Sequence, residues 1–463
     1  MNNIIKNISY SFLANIVSII ISIVMVIFLP KMLSIKDYGL WQLYLFYTSY
    51  LGFFHFGWLD GIYLRYGGLY FEQLNKSVFS SQLVALCTFE IVLAVIGYIL
   101  TCTIDADKDI ATVLQFACIV LVPVILYTFS SFLLQITNKI KEYAQLLLLE
   151  RLLFFLLVCV CLLSGYNYFN YIITADLCAK FLICFYGLYV IKNIITTRID
   201  KLAQVWQEIK NNISVGSKLL IANIAGLLII GIIRFAISYH WDISDFGKVS
   251  LSLSIANFFM IFINSLSIVM FPVLKRLNED KQKELYFKLR NLLTAVLLCA
   301  FICYYPIKYI LLLWIPKYKD ALIYINILFP VFLFESRIML LVNTYFKALR
   351  YENTMLRCNL CIVLLGIIMA GIGIWVDELK IMVLFITILS ASKNLLAEYL
   401  LSKSLKIKLL KPWLSEISVV TAFIILNYFL HDEFIAFLNY LVIIIIYLVC
   451  NKRKIKGAVS LKG

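Results

Sequence analysis

Ser34-Ile35-Lys36-Asp37-Tyr38-Gly39 returns as Asp242-Ile243-Ser244-Asp245-Phe246-Gly247, 208 residues further on. Each copy follows a long apolar run and opens the next one. Inside the preceding runs, Ala14-Asn15-Ile16 returns as Ala222-Asn223-Ile224 at the same 208-residue offset. A third echo lies further along, where Lys139-Ile140-Lys141-Glu142 corresponds to Leu349-Arg350-Tyr351-Glu352 at an offset of 210. Three echoes nearly in register, each in the same setting, indicate a duplicated unit. The turn has a local rationale as well. Ser34 and Asp242 stand where a helix N-cap belongs, three residues ahead of Asp37 and Asp245, and side-chain oxygens there accept otherwise unpaired backbone N–H groups. Tyr38, Trp41 and Phe246 are expected at the headgroup level, where aromatic rings are favoured.

The runs around these turns decide the class. The 463 residues are 63% hydrophobic and 14% charged, with mean hydropathy +0.94, against about 45–50% apolar and about 25% charged in soluble domains. A spanning helix takes roughly 20 apolar residues, and runs of that length number about fourteen. They lie near 9–31, 39–58, 78–101, 110–136, 143–164, 168–191, 216–239, 248–272, 290–313, 321–346, 354–376, 380–401, 415–430 and 434–450. The loops between them are short and leave no room for a soluble catalytic domain. Basic residues gather in alternate loops and at both ends, as at Lys139 and Lys141, Arg198 to Lys210, Lys275 to Arg290 and Lys403 to Lys411. Acidic residues such as Asp105, Asp107, Asp377 and Asp432 occupy the opposite loops. By the positive-inside rule both termini are cytoplasmic. The net charge of +15 is then a signature of topology rather than of nucleic-acid binding.

Six spans per copy is an even number, so both copies start on the same side and form parallel repeats, a transporter architecture. The expected organisation is an all-α polytopic membrane protein with two parallel six-helix lobes. Residues 1–205 form the first lobe with a cytoplasmic linker helix, 206–405 the second, and 406–463 two additional spans with a basic tail. Ile199, Leu202, Val205, Trp206 and Ile209 recur at helical spacing, which predicts that the linker is an amphipathic helix on the membrane surface.

Charges inside spans are costly and are functional candidates by default. Asp176 and Lys180 lie near the midplane of span six at i,i+4 spacing, close enough to pair on one helix face. Glu90 in span three is deep and has no charge one turn away. Glu150-Arg151 in span five and Glu335-x-Arg337 in span ten are buried less deeply. Arg234 and Lys218, near opposite helix ends, have snorkelling as their alternative, and Asn15 and Asn223 are candidates for interhelical hydrogen bonding. Several enzyme signatures are missing. No G-x-x-x-x-G-K-[ST] phosphate loop exists, and Asp105-Ala106-Asp107 is a D-x-D only within a short outer loop. His55, His240 and His431 form no ligand pattern, and the twelve Cys lie almost all inside apolar runs, where they read as packing residues. No cofactor, no metal and no nucleic-acid partner is expected. A polymerase or membrane glycosyltransferase would carry a large extracytoplasmic loop, so an enzyme is not expected either.

The stretch Phe28-Leu29-Pro30-Lys31-Met32-Leu33-Ser34, followed by Lys36-Asp37-Tyr38-Gly39-Leu40-Trp41 and a second span, resembles bacterial Wzx-type polysaccharide flippases. These belong to the multidrug/oligosaccharidyl-lipid/polysaccharide exporter superfamily. Lys347-Ala348-Leu349-Arg350 resembles the ending of that family's tenth span. The resemblance implies transfer of undecaprenyl-pyrophosphate-linked oligosaccharide repeat units across the inner membrane for O-antigen or lipopolysaccharide synthesis. It also implies a polysaccharide polymerase and a chain-length regulator as partners. A multidrug exporter of the same superfamily is the alternative. The family's cavity is lined mainly by spans one, two, seven and eight. On this chain that points to Asn15, Ser18, Ser22, Tyr44, His55, Arg65, Lys218, Asn223, Arg234, Asn257 and Asn264. Arg65, Arg151, Lys180, Arg234 and Arg337 are then the candidate pyrophosphate contacts, and Glu90, Asp176 and Glu335 the candidate groups for ion coupling. Lipid-II flippases carry an arginine in span one; this chain has none there, which argues against a peptidoglycan precursor as substrate.

Overall fold

The computed structural model describes residues 2–103, 107–200, 202–258, 260, 263, 266–267, 270, 274, 277–407, 410–430, 432–452 and 454. Within these, the side chains of 2–16, 202–204, 352 and 410–411 are not described. Asn15, Asn264 and His431 therefore lie outside the described side chains. Among the described residues the secondary structure is helical, with no strand. Among the described residues eleven helices are long and apolar enough to cross a membrane, and Val17–Met32 is a shorter apolar helix. The chain divides into two compact units, Met1–Ile224 and Ala225–Gly463.

The first unit contains α1 (Asn2–Met32), α2 (Ile35–Leu51), α3 (Trp58–Tyr66), α4 (Lys76–Thr103), α5 (Lys108–Ile136), α6 (Ile140–Leu163), α7 (Phe169–Val190) and the short α8 (Lys192–Ile195). α9 (Leu202–His240) leads from the first unit into the second. The linker is therefore not a separate surface helix. No proline interrupts 202–240, and the helix continues straight into the seventh span. Val205 and Ile209 are buried while Trp206 is 55% exposed.

The second unit continues with α10 (Ile243–Ala256), α11 (Glu279–Ala300), α12 (Tyr304–Trp314), α13 (Ala321–Leu328), α14 (Val331–Arg337) and α15 (Asn343–Ala348). α16 (Glu352–Val376), α17 (Leu379–Leu405), α18 (Leu410–Phe429) and α19 (Glu433–Cys450) follow. α10 begins 208 residues after α2, and α16 begins 212 after α6. The duplication is thus visible as helix order within each unit, with two further helices at the end. The turn into α6 passes through Asn138 and the turn into α16 through Arg350, both in the left-handed region (φ 59° and 58°). The tenth span is not one regular helix. It runs α13, α14, a π-helical segment Ile338–Val342 and α15, and Pro330, lacking an N–H, stands where α13 gives way to α14.

The expected second span also breaks early. α2 ends at Leu51, and the chain turns through Phe56 (φ 51°) and Gly57 (φ 85°) before α3. There α3 meets α9 backbone to backbone. A Cβ on Gly61 would lie 1.9 Å from the Asn212 carbonyl oxygen, and one on Gly216 2.0 Å from that of Gly57. Only glycine permits so close a crossing.

The first copy of the repeated turn caps its helix as expected, whereas Asp242 stands at the N-cap of α10 without a side-chain capping hydrogen bond. Ser34 Oγ accepts the Asp37 N–H at 3.0 Å, and Asp37 Oδ1 accepts the Phe169 N–H at 3.1 Å, which ties the turn to the start of α7. Its aromatic residues are covered by protein. Tyr38, Trp41 and Phe246 are 1%, 3% and 1% exposed. Trp41 stacks between Tyr44 (5.6 Å) and Phe154 (5.5 Å). Packing such rings against neighbouring helix faces removes a large apolar area from solvent.

Candidate functional site

Four helices of the first unit surround a cavity of about 130 Å³. α1 contributes Ser22 and Met25, α2 contributes Tyr38, Trp41 and Gln42, α6 contributes Glu150 and Arg151, and α7 contributes Asp176. Its walls are mostly aliphatic and aromatic, with a few polar groups that face one another across helices. Asp176 is the hub. Its Oδ2 accepts the Tyr44 hydroxyl at 2.7 Å and lies 2.7 Å from Lys180 Nζ. Lys180 also stands 5.5 Å from the centre of the Tyr44 ring, within the range of a cation–π contact. Asp176 and Tyr44 are buried, so the carboxylate is compensated by an ammonium and a hydroxyl rather than by water. A buried charge requires such partners. Beside it, Gln42 Nε2 donates to the Tyr38 hydroxyl at 2.8 Å, and Ser22 Oγ donates to the Ser18 carbonyl at 2.8 Å. The volume suits a few waters or one small polar group; an oligosaccharide does not fit. At one end of the same unit lies a wider hollow of about 600 Å³, lined by Lys36, Asp37, Asp109, Tyr168, Asn170 and Tyr171.

The remaining sequence candidates are dispersed. His55 lies in the turn before α3, where its Nδ1 accepts the Gly57 N–H at 3.1 Å and its Nε2 is 3.9 Å from Asp60. Arg65 is engaged with α9, donating to Glu208 Oε2 at 2.8 Å and to Asn212 Oδ1. Tyr66 donates to the same Glu208 oxygen at 2.9 Å. Neither His55 nor Arg65 lines the cavity. Lys218 and Asn223 are exposed on α9, and Asn257 is exposed after α10. Glu90 is fully buried in α4, and neither of its carboxylate oxygens has a hydrogen-bond partner among the described residues. Arg234 donates to Ser250 Oγ at 3.0 Å and lies over the Phe246 ring at 5.1 Å.

Glu335 and Arg337 belong to ionic groups of the second unit whose other members the sequence reading did not single out. Glu335 pairs with Lys393 of α17 at 3.0 Å. Arg337 enters a buried cluster with Arg290, Glu398 and Glu416, each no more than 4% exposed at its side chain. Arg290 holds Glu416 with two bonds of 2.7 and 2.9 Å and Glu398 with bonds of 3.1 to 3.4 Å. Arg337 donates to Glu416 Oε2 at 2.6 Å and to Glu398 Oε2. Trp413 Nε1 and the Tyr286 hydroxyl also donate to Glu398, at 2.6 and 3.1 Å. Two guanidiniums and two carboxylates balance, and bidentate geometry makes the set cohesive. Arg337 is thereby bound to α17 and α18. The available signal was Lys393 and Glu398 inside the apolar run 380–401, the same sign that singled out Asp176.

The chain is thus an array of apolar helices, eleven of them long enough to span a membrane among the described residues, with a small cavity inside the first unit. Over 97% of this chain and 99% of the other, it is similar to lipid II flippase MurJ in an inward closed conformation, with TM-score 0.65 and 14% identity. It is similar to a multidrug resistance MATE family transporter of the MOP superfamily, inward-facing, with TM-score 0.58 and 13% identity over 88% and 98% of the two chains. A MATE structure in complex with MaD3S aligns with TM-score 0.53 and 11% identity over 90% and 96%. No curated protein matches the chain. At these identities the structures establish the fold alone, one that this chain shares with the flippase and the two MATE structures. A family model described as polysaccharide biosynthesis protein matches residues 28–323, and the chain belongs to that family.

Proposed function

We propose that this chain is a flippase. It moves undecaprenyl-pyrophosphate-linked oligosaccharide repeat units from the cytoplasmic to the periplasmic leaflet of the bacterial inner membrane by alternating access, for O-antigen or another surface polysaccharide. The observation that carries the reading is the polysaccharide biosynthesis match over residues 28–323, on a chain built as a transporter. Both termini lie in the cytoplasm, following the distribution of Lys and Arg. A polysaccharide polymerase and a chain-length regulator receive the delivered unit.

Within this reading the cavity of the first unit serves coupling, since it is too small for the glycan. Asp176 exchanges its ammonium and hydroxyl partners for a proton or Na⁺, with Glu90 and Glu335 as the other acidic candidates. Of the candidate pyrophosphate contacts, Arg151 lines the cavity, Lys180 pairs with Asp176 and Arg234 donates to Ser250. Arg65 and Arg337 are already held by carboxylates.

The test is a strain lacking the chain. Complete lipid-linked repeat units should accumulate on the inner leaflet and disappear when the wild-type chain is restored. Exported but unpolymerised units would instead indicate a polymerase. One observation favours a second reading, export of cationic drugs: Glu150 and Asp176 both line the cavity. Drug sensitivity with normal surface polysaccharide in the same strain would select it.

A further inference from the structure

A separate hollow of about 570 Å³ lies in the second unit, bounded by α12, α13, the start of α17 and the facing ends of α18 and α19. Three lysines line it, Lys308, Lys319 and Lys380, together with two carboxylates, Asp320 and Glu433. Lys308 pairs with Glu433 at 3.1 Å. Among the described residues, Lys319, Lys380 and Asp320 enter no ion pair of 4 Å or less, which leaves the hollow one net positive charge. Asn326 also lines the hollow and is 2% exposed. Its Nδ2 donates to the Ile424 carbonyl at 3.2 Å, while its Oδ1 accepts no hydrogen bond among the described residues. A buried amide oxygen without a donor is costly, so the hollow presents unmatched cations together with an unmatched acceptor.

The surroundings identify the ligand's source. Ile323 and Phe429 in the lining are 40% and 69% exposed, and nearby Tyr309, Leu313 and Phe434 are 60%, 68% and 68% exposed. Exposed apolar side chains on a membrane-spanning unit face acyl chains. Lys319 and Lys380 stand at the ends of apolar spans, the level at which ammonium groups meet lipid headgroups.

We propose that this hollow binds the headgroup of a membrane phospholipid that carries a hydrogen-bond donor. The phosphate lies between Lys319 and Lys380, and the ammonium of ethanolamine or a hydroxyl of glycerol donates to Asn326 Oδ1, with Glu433 beside it. A choline headgroup offers the same phosphate but no N–H or O–H and leaves Asn326 unmatched.

The full-length protein, purified and delipidated in detergent, is titrated with phosphatidylethanolamine, phosphatidylglycerol and phosphatidylcholine of identical chains, and retained lipid is counted by native mass spectrometry. Ethanolamine and glycerol lipids should be retained about tenfold over choline lipid. Lys319→Gln with Lys380→Gln should lower retention of all three. Asn326→Leu should abolish the discrimination and leave phosphate-dependent retention. Equal retention of the three lipids by the wild-type protein overturns the proposal, and this arm stands even where Asn326→Leu fails to fold. Unchanged retention in the double lysine variant overturns it too. So does displacement of the lipid by millimolar inorganic phosphate or glycerophosphoethanolamine, which would assign the hollow to a soluble ligand.

Discussion

Replacing Arg337 by glutamine separates two roles that the residue could be given. In the second unit its guanidinium, 1% exposed, donates to both Glu398 and Glu416. A neutral amide in its place would leave the two carboxylates sharing Arg290 alone, one uncompensated negative charge in an apolar interior. Breaking a buried ion pair from one side costs about 3–5 kcal/mol. At roughly 2–4 °C per kcal/mol for a unit of this size, the apparent melting temperature should fall by about 10 °C or more. Thermal unfolding in detergent, read by size-exclusion fluorescence, measures this directly. Replacing all four charged residues with apolar side chains of similar volume should recover much of the loss, since a buried ionic set is often no more stable than a packed apolar one. An Arg337→Gln protein that melts normally yet fails to export would refute the reasoning and return Arg337 to the substrate.

Three other substitutions probe the first unit and one the second. Lys180→Gln should leave membrane abundance near wild type and reduce export at least tenfold, whereas export unchanged in quantitative surface-polysaccharide assays would remove the Tyr44–Asp176–Lys180 chain from the mechanism. Glu90→Gln removes a buried carboxyl without hydrogen-bond partners among the described residues, so thermal stability should hold or rise by about 1 kcal/mol. Loss of export in that variant, with folding intact, would mark Glu90 as a coupling group. Gly61→Ala drives a methyl into the Asn212 backbone and should cost about 3 kcal/mol or more, seen as loss of folded protein. Gly371→Ala, whose added methyl meets nothing within 4 Å, should be neutral or stabilising by about 0.5–1 kcal/mol.

Hydrophobic run length and the 208-residue echo made the helix order legible, because both are local or periodic properties of one chain. The Asp176–Lys180 bridge was legible for the same reason: i,i+4 partners share a helix face wherever the helix packs. The cluster of Arg290, Glu398 and Glu416 was not. Its arginine stands 108 and 126 residues before its two carboxylates and reads as the tail of a basic loop. The Gly57–Gly61–Gly216 crossing was hidden likewise, since a lone glycine carries no record of which backbone it must admit. His55 and Arg65 were placed near a cavity by the family resemblance, which counts them with span two, whereas both lie beyond the end of α2 at Leu51.

The four-charge cluster also bears on how the second unit is made. Arg290 enters the membrane with α11, while Glu398 and Glu416 follow 108 and 126 residues later. At about 5–20 residues per second of synthesis, its guanidinium waits roughly 6–25 s for its last carboxylate. Until α18 arrives, two arginines share Glu398 alone, and a chain cut after Leu405 never leaves that state. The first helix beyond the repeat therefore carries the counter-charge that balances the cluster, and shortening the gene from its 3′ end withdraws it.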